Sequence, residues 1–129
     1  MLQKHNDSLV RLELVKCGLK SDGFGCVADF LTDNASVATL DLSRNTIDSV
    51  DDAKFLALAI WNHPELQCVN LSECELGKTK GVLAGVLDGA GNLETLLLDE
   101  NKITTEGMAL VAEFLASNTV MTTLSLADN

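Results

Sequence analysis

The sequence predicts an α/β fold, a single right-handed solenoid over residues 1–129 with a curved parallel sheet on its concave face and helices on its convex face. Three observations predict it. The pattern L-x-x-L-x-L-x-x-N/C-x-L recurs five times at a spacing of about 28 residues, and a fixed period of this kind marks a chain built from stacked units. Inside every copy the apolar residues first alternate, as in a strand burying one face, and then take helical spacing. A strand followed by a crossover helix must meet the next strand in parallel, with a right-handed connection. All strands then line one side of the coil. Helices are wider than strands, so the stack bends with the sheet inside.

The elements follow in order. The first copy runs Leu9, Leu12, Leu14, Cys17, Leu19, with its strand at Leu12 and Leu14 and a helix carrying Val27, Ala28 and Leu31. The second, Val37, Leu40, Leu42, Asn45, Ile47, is answered by Leu56, Ala57 and Ile60. The third, Leu66, Val69, Leu71, Cys74, Leu76, is answered by Leu83, Ala84 and Leu87, and the fourth, Leu93, Leu96, Leu98, Asn101, Ile103, by Val111, Ala112 and Leu115. The fifth breaks off at Met121, Leu124, Leu126, Asn129, so the expectation is four full repeats plus the strand of a fifth. Positions such as 27, 28 and 31 share one helix face. The small residue after each Leu or Val is expected to let helix approach sheet. Gly23 and Gly107 open two helices, and Asn34, His63, Ala90 and Asn118 each stand three residues before the next motif. Phe30, Ala59, Val86 and Phe114 occupy equivalent positions and read as contacts between stacked helices, while Trp61 reads as a cover for the second helix's end.

On these residues the chain resembles the leucine-rich-repeat proteins of the ribonuclease-inhibitor-like subfamily, from Leu9 to Asn129. The motif is specific for fold and nearly silent on function, because its defining positions are buried and those that meet partners are not. The resemblance implies a non-catalytic scaffold for protein–protein interaction that works through the concave face. A GTPase-activating role of the Ran type would use the same fold, but no residue beyond the repeat matches it. A self-assembling structural unit is the third reading.

Composition agrees. Of the residues, 47% are apolar, with one Pro and few aromatics, which suits an aliphatic solenoid able to bury a real core. No apolar run approaches a membrane span, and the first residues lack a signal peptide's apolar stretch, so the expectation is a cytoplasmic protein. A net charge of −10 argues against nucleic acid and anionic membrane as partners and allows a basic protein. Asp22, Asp29, Asp33, Asp48, Asp51, Asp52 and Asp88 fall on helices or loops of the outer face, where they read as solubilising charge.

Four cysteines point to a reducing compartment. Cys17 and Cys74 take the N/C slot two repeats apart, roughly 10 Å in a parallel stack and beyond the reach of a disulfide. Cys26 lies near the start of the first helix. Cys68, on the outward face of the third strand, would be reactive if its surroundings lowered its pKa. No cysteine or histidine spacing offers a metal site, and no cofactor is expected.

Function should lie in residues that point outward from the strands: Arg11, Glu13 and Val15; Thr39, Asp41 and Ser43; Cys68, Asn70 and Ser72; Thr95, Leu97 and Asp99; Thr123, Ser125 and Ala127. This face is small and polar, without the aromatic anchors that dominate interface energetics. Leu97 is its one sizeable apolar group and reads equally as a contact or as an ordinary exposed leucine. Just before the N/C slot Lys16 and Arg44 are basic, whereas Glu73, Glu100 and Asp128 are acidic. This gradient reads as solvated charge, or as a rim that steers a partner or aligns copies.

Several strings carry no chemistry. Gly77-Lys78-Thr79 mimics the end of a phosphate loop, but Ser72 stands where the first Gly is needed, and Glu73 and Glu75 would repel phosphate. Asn6, Asn34 and Asn70 fit the glycosylation pattern without a secretion signal. His5 and His63 have no nucleophile or carboxylate placed beside them by the repeat, so no catalytic constellation is expected. Neither end shows a polar cap. The chain is therefore expected to be a piece of a longer repeat array, or to have its ends, near Leu2 and Leu126, covered by other copies.

Overall fold

Strand and helix alternate along the chain as the change of hydrophobic rhythm requires. A computed structural model describes residues 6–129; Leu2 and His5 lie outside the described residues. The order is β1 (Arg11–Glu13), α1 (Ser21–Asp33), β2 (Thr39–Asp41), α2 (Val50–Asn62), β3 (Cys68–Asn70), a 3-10 turn (Leu76–Lys78), α3 (Lys80–Gly89), β4 (Thr95–Leu97), α4 (Thr105–Ser117) and β5 (Thr123–Ser125). The strands form one parallel sheet in the order β1-β2-β3-β4-β5. Leu12, Leu40, Val69, Leu96 and Leu124 stand in a single row across it. Among the described residues no helix is long and apolar enough to cross a membrane.

The inward residues of each motif make the core. Leu40, Leu42, Val69, Leu71, Leu96 and Leu98 are fully buried, backed by Ile47, Leu76 and Ile103 from the turns and by Val27, Leu31, Leu56, Ile60, Leu83, Leu87 and Val111 from the helices. Each fully buried aliphatic side chain contributes about 1.5–3 kcal/mol of transfer free energy. The outer rows, Leu9, Leu12 and Leu14 at one end and Met121, Leu124 and Leu126 at the other, are half-buried because each meets a neighbouring repeat on one side only.

Two helix expectations need correction. Ala112 is exposed and Leu115 is 43% exposed, because among the described residues no further helix lies against that face of α4. Trp61 does not close its own helix: its ring lies against Gly91 after α3, where an added Cβ would meet it at 2.7 Å, and its indole remains 47% exposed. Of the four equivalent helix positions, Ala59 and Val86 are buried, while Phe30 and Phe114 are half-buried. The small residues act between helices as well. A Cβ on Gly89 would come within 2.4–2.6 Å of Ala57, so α3 approaches α2 closely only because Gly stands there. Ser49 caps α2 by accepting from Asp52 N, and Thr104 caps α4 by accepting from Gly107 N.

Candidate protein interface

The register sorts the outward side chains into columns running across the sheet. Arg11, Thr39, Cys68, Thr95 and Thr123 form one, and Glu13, Asp41, Asn70, Leu97 and Ser125 the next. The sequence-predicted site residues are thus brought onto one face. Many are already engaged. Asp41 accepts from Ser43 N at 3.0 Å and from Ser43 Oγ at 2.7 Å, and Asn70 accepts from Ser72 N at 3.0 Å; each ends its strand in a side-chain turn. Asp99 accepts from Ser125 Oγ and from Ala127 N, tying the fourth repeat to the fifth. Arg11 pairs with Glu13. Among the described residues the hydroxyls of Thr39, Thr95 and Thr123 have no hydrogen-bond partner. Leu97 is half-buried between Asn70 and Ser125, its partners in register.

Cys68 is half-buried, and burial is the main cause that pushes its thiol pKa up, against a smaller lowering by Arg11. It is therefore not an activated nucleophile, which removes the reactive option for this residue. Cys74 is fully buried, and its pKa is pushed up to about 11, mainly by desolvation. All four thiols are free. Among the described residues no group of three or more His, Cys, Asp or Glu side chains is placed to hold a metal.

Beside the sheet, the residue before each N/C slot is left-handed: Lys16, Arg44, Glu73, Glu100 and Asp128 have φ of 52°, 61°, 54°, 53° and 56°. Non-Gly residues rarely adopt this region, and here it turns the chain sharply off the strand. The next residue holds that turn. Asn101, fully buried, donates to Leu71 O at 2.8 Å and accepts from Cys74 N at 2.9 Å and Leu76 N at 3.2 Å. Asn45 and Asn129 do the same for the repeat before each of them. In the third repeat the buried Cys74 thiol takes the place of the amide and donates to Leu42 O at 3.3 Å. The rim charges are partly paired. Arg44 meets Glu73 at 3.2 Å, and Lys102 meets Glu75 at 2.9 Å and holds that carboxyl below its ordinary range. Exposed pairs of this kind add little stability.

The opposite edge has its own device. Asn34 and Asn118 each accept from two backbone amides in the turn before the next strand. His63 does this with a ring nitrogen: Nδ1 accepts from Glu65 N and Leu66 N, both at 3.1 Å, while Nε2 faces Asn34 Oδ1 at 3.3 Å. That network assigns the neutral tautomer with the proton on Nε2. Burial lowers the pKa of His63. The residue is structural.

Comparison with known proteins adds one finding. No protein-family model matches the chain. It is 35% identical over 123 residues, 93% of its length, to the human "NACHT, LRR and PYD domains-containing protein 13", of which it spans 12%. With the sheet topology already established, the likeness decides the architecture. The fold is a leucine-rich-repeat solenoid.

Sequence reasoning about this leucine-rich-repeat chain missed a cluster of exposed apolar residues on one helix. Phe55 is 66%, Leu58 60% and Trp61 47% exposed, all on the outer side of α2. The signal was present: three large apolar groups at 55, 58 and 61 fall off the face set by Leu56, Ala57 and Ile60.

Proposed function

We propose that this chain is a non-catalytic protein-interaction scaffold whose sheet face is its docking surface. One observation carries the reading: five in-register parallel strands array the outward side chains in columns, with the Thr39, Thr95 and Thr123 hydroxyls uncommitted. A surface of this kind recognises by shape and by many modest contacts, since it carries no aromatic anchor. Arg11 and Glu13 neutralise each other, Asp41 and Asp99 leave the face acidic, and the chain as a whole carries −10, so the complementary partner is a basic protein surface. Leu97 supplies the central apolar contact.

The test compares wild type with Leu97→Glu and with the pair Thr39→Arg/Thr95→Arg in quantitative capture of binding proteins at low and raised salt. The threonine pair places positive charge in the middle of the face without touching a hydrogen bond. Binding weakened by at least tenfold in both variants, with unchanged melting, supports the reading. A partner captured equally by all three proteins refutes it.

A further inference from the structure

The outer face of α2 offers a second surface, independent of the sheet. Of the large exposed apolar residues, Phe55, Leu58 and Trp61 are the three that share one element, and they span about 9 Å of helix axis. They form a ridge with a groove on either side. Between α1 and α2, Ala28, Leu31, Phe55, Leu58, Ala59 and Pro64 line a groove of about 360 Å³, with Asp29 at its wall. Between α2 and α3 a second groove, of about 230 Å³, lies over Ala57, Gly85 and Gly89 and is walled by Leu58 and Trp61, with Lys54 and Asp88 both beside it. This second groove exists because the glycines that let α3 approach α2 leave nothing above the contact.

Charge on the helices is predominantly acidic, although Lys54 lines the second groove together with Asp88. The four helices carry Asp22, Asp29, Asp33, Asp51, Asp52, Asp88, Glu106 and Glu113 against only Lys54 and Lys80. An apolar ridge flanked by grooves, with Asp29 at one and Asp88 at the other on a mainly acidic helical face, complements an amphipathic segment with basic residues beside its apolar stripe. An anionic lipid surface is disfavoured by the same charge. Trp and Phe are also the residue types that carry interface energy, which the sheet face lacks.

We propose that the Phe55–Leu58–Trp61 ridge docks a basic amphipathic helix of a partner protein, whose apolar side chains enter the two grooves and whose lysines or arginines meet Asp29 and Asp88. Recognition of this kind reads apolar anchors at i, i+3, i+4 and i+7.

Trp61 is the single tryptophan, so its fluorescence reports on this surface alone. The probe is a synthetic leucine/lysine helical peptide of about four turns, with a leucine/glutamate peptide of equal length as control. The expected result is a saturable blue shift with the lysine peptide and none with the glutamate peptide. Phe55→Glu/Leu58→Glu should weaken it at least tenfold although the variant is more acidic, which separates docking from bulk charge attraction. Both positions are exposed and Glu suits a helix, so circular dichroism should show an intact fold. Leu58→Gln alone, expected to weaken binding less, replaces the pair if it does not fold. Five results overturn the proposal: no shift with the lysine peptide, an equal shift with both peptides, retention of binding in Phe55→Glu/Leu58→Glu, a blue shift that grows with protein concentration alone, and a shift produced by anionic vesicles but not by peptide. Thr39→Arg/Thr95→Arg should leave the shift unchanged, so failure here and failure at the sheet face are distinguishable.

Discussion

Replacing Asn101 with Ala should be among the most damaging single changes in this chain. The side chain is 0% exposed and makes close bonds to three backbone groups: Leu71 O at 2.8 Å, Cys74 N at 2.9 Å and Leu76 N at 3.2 Å. Alanine leaves two amides and a carbonyl buried without partners. Each such group costs about 1–3 kcal/mol, and water entering the vacated space offsets part of that, so the expected loss is about 3–5 kcal/mol. Against a typical total of about 5–15 kcal/mol this is a large fraction. At roughly 4 °C per kcal/mol for a chain of this size, the midpoint should fall by about 10–20 °C. Asn129 makes the same set of bonds to the preceding repeat but is exposed, so Asn129→Ala should cost less than half as much. Asn101→Cys, which copies the residue found in the third repeat, should fall between. Urea unfolding followed by circular dichroism and Trp61 fluorescence measures all three. A loss below about 1 kcal/mol for Asn101→Ala would show that solvent satisfies these groups, and the account of the amide ladder would fail.

Two further outcomes follow from the histidine and the thiols. His63 has a folded-state pKa below its unfolded value of about 6.5, so the unfolded chain binds the extra proton first, and stability should fall as pH drops below 6.5. Because Asn34 and Asn118 close equivalent turns, His63→Asn should keep the fold and remove that component of the acid slope in urea titrations at pH 7 and pH 5.5; an unchanged slope would sink the assignment. Exposed Cys17 and Cys26 should be alkylated first, half-buried Cys68 more slowly, and Cys74 only on unfolding, as read by mass spectrometry of native and denatured protein. Early labelling of Cys74 would contradict its place in the core.

The repeat was legible because burial is periodic. Leu40, Leu42, Leu96 and Leu98 lie where the motif puts them, and the strands pair in the register it implies. The N/C slot was visible as a recurring motif position, but only the stacked repeats show that its Asn serves the repeat before its own. The left-handed residues beside it were visible only as a run of charges, since Lys16, Arg44, Glu73, Glu100 and Asp128 share a backbone conformation and no side-chain type. Ala112 and Leu115 were misplaced because a helical face predicts burial only where another element arrives to cover it.

By itself, then, the sequence determined the order of strands and helices, the residues that fill the core and the face that looks outward, all of which follow from a local rhythm of apolar groups. Tertiary structure alone decided that Asp41, Asn70 and Asp99 are bound within the sheet, that His63 is a turn element and that Gly85 and Gly89 open a groove beside Trp61. The physical reason is distance along the chain. A periodic pattern reports what one segment needs, whereas a surface is made by side chains some 28 residues apart, and what each has left to offer depends on the neighbour that reaches it first.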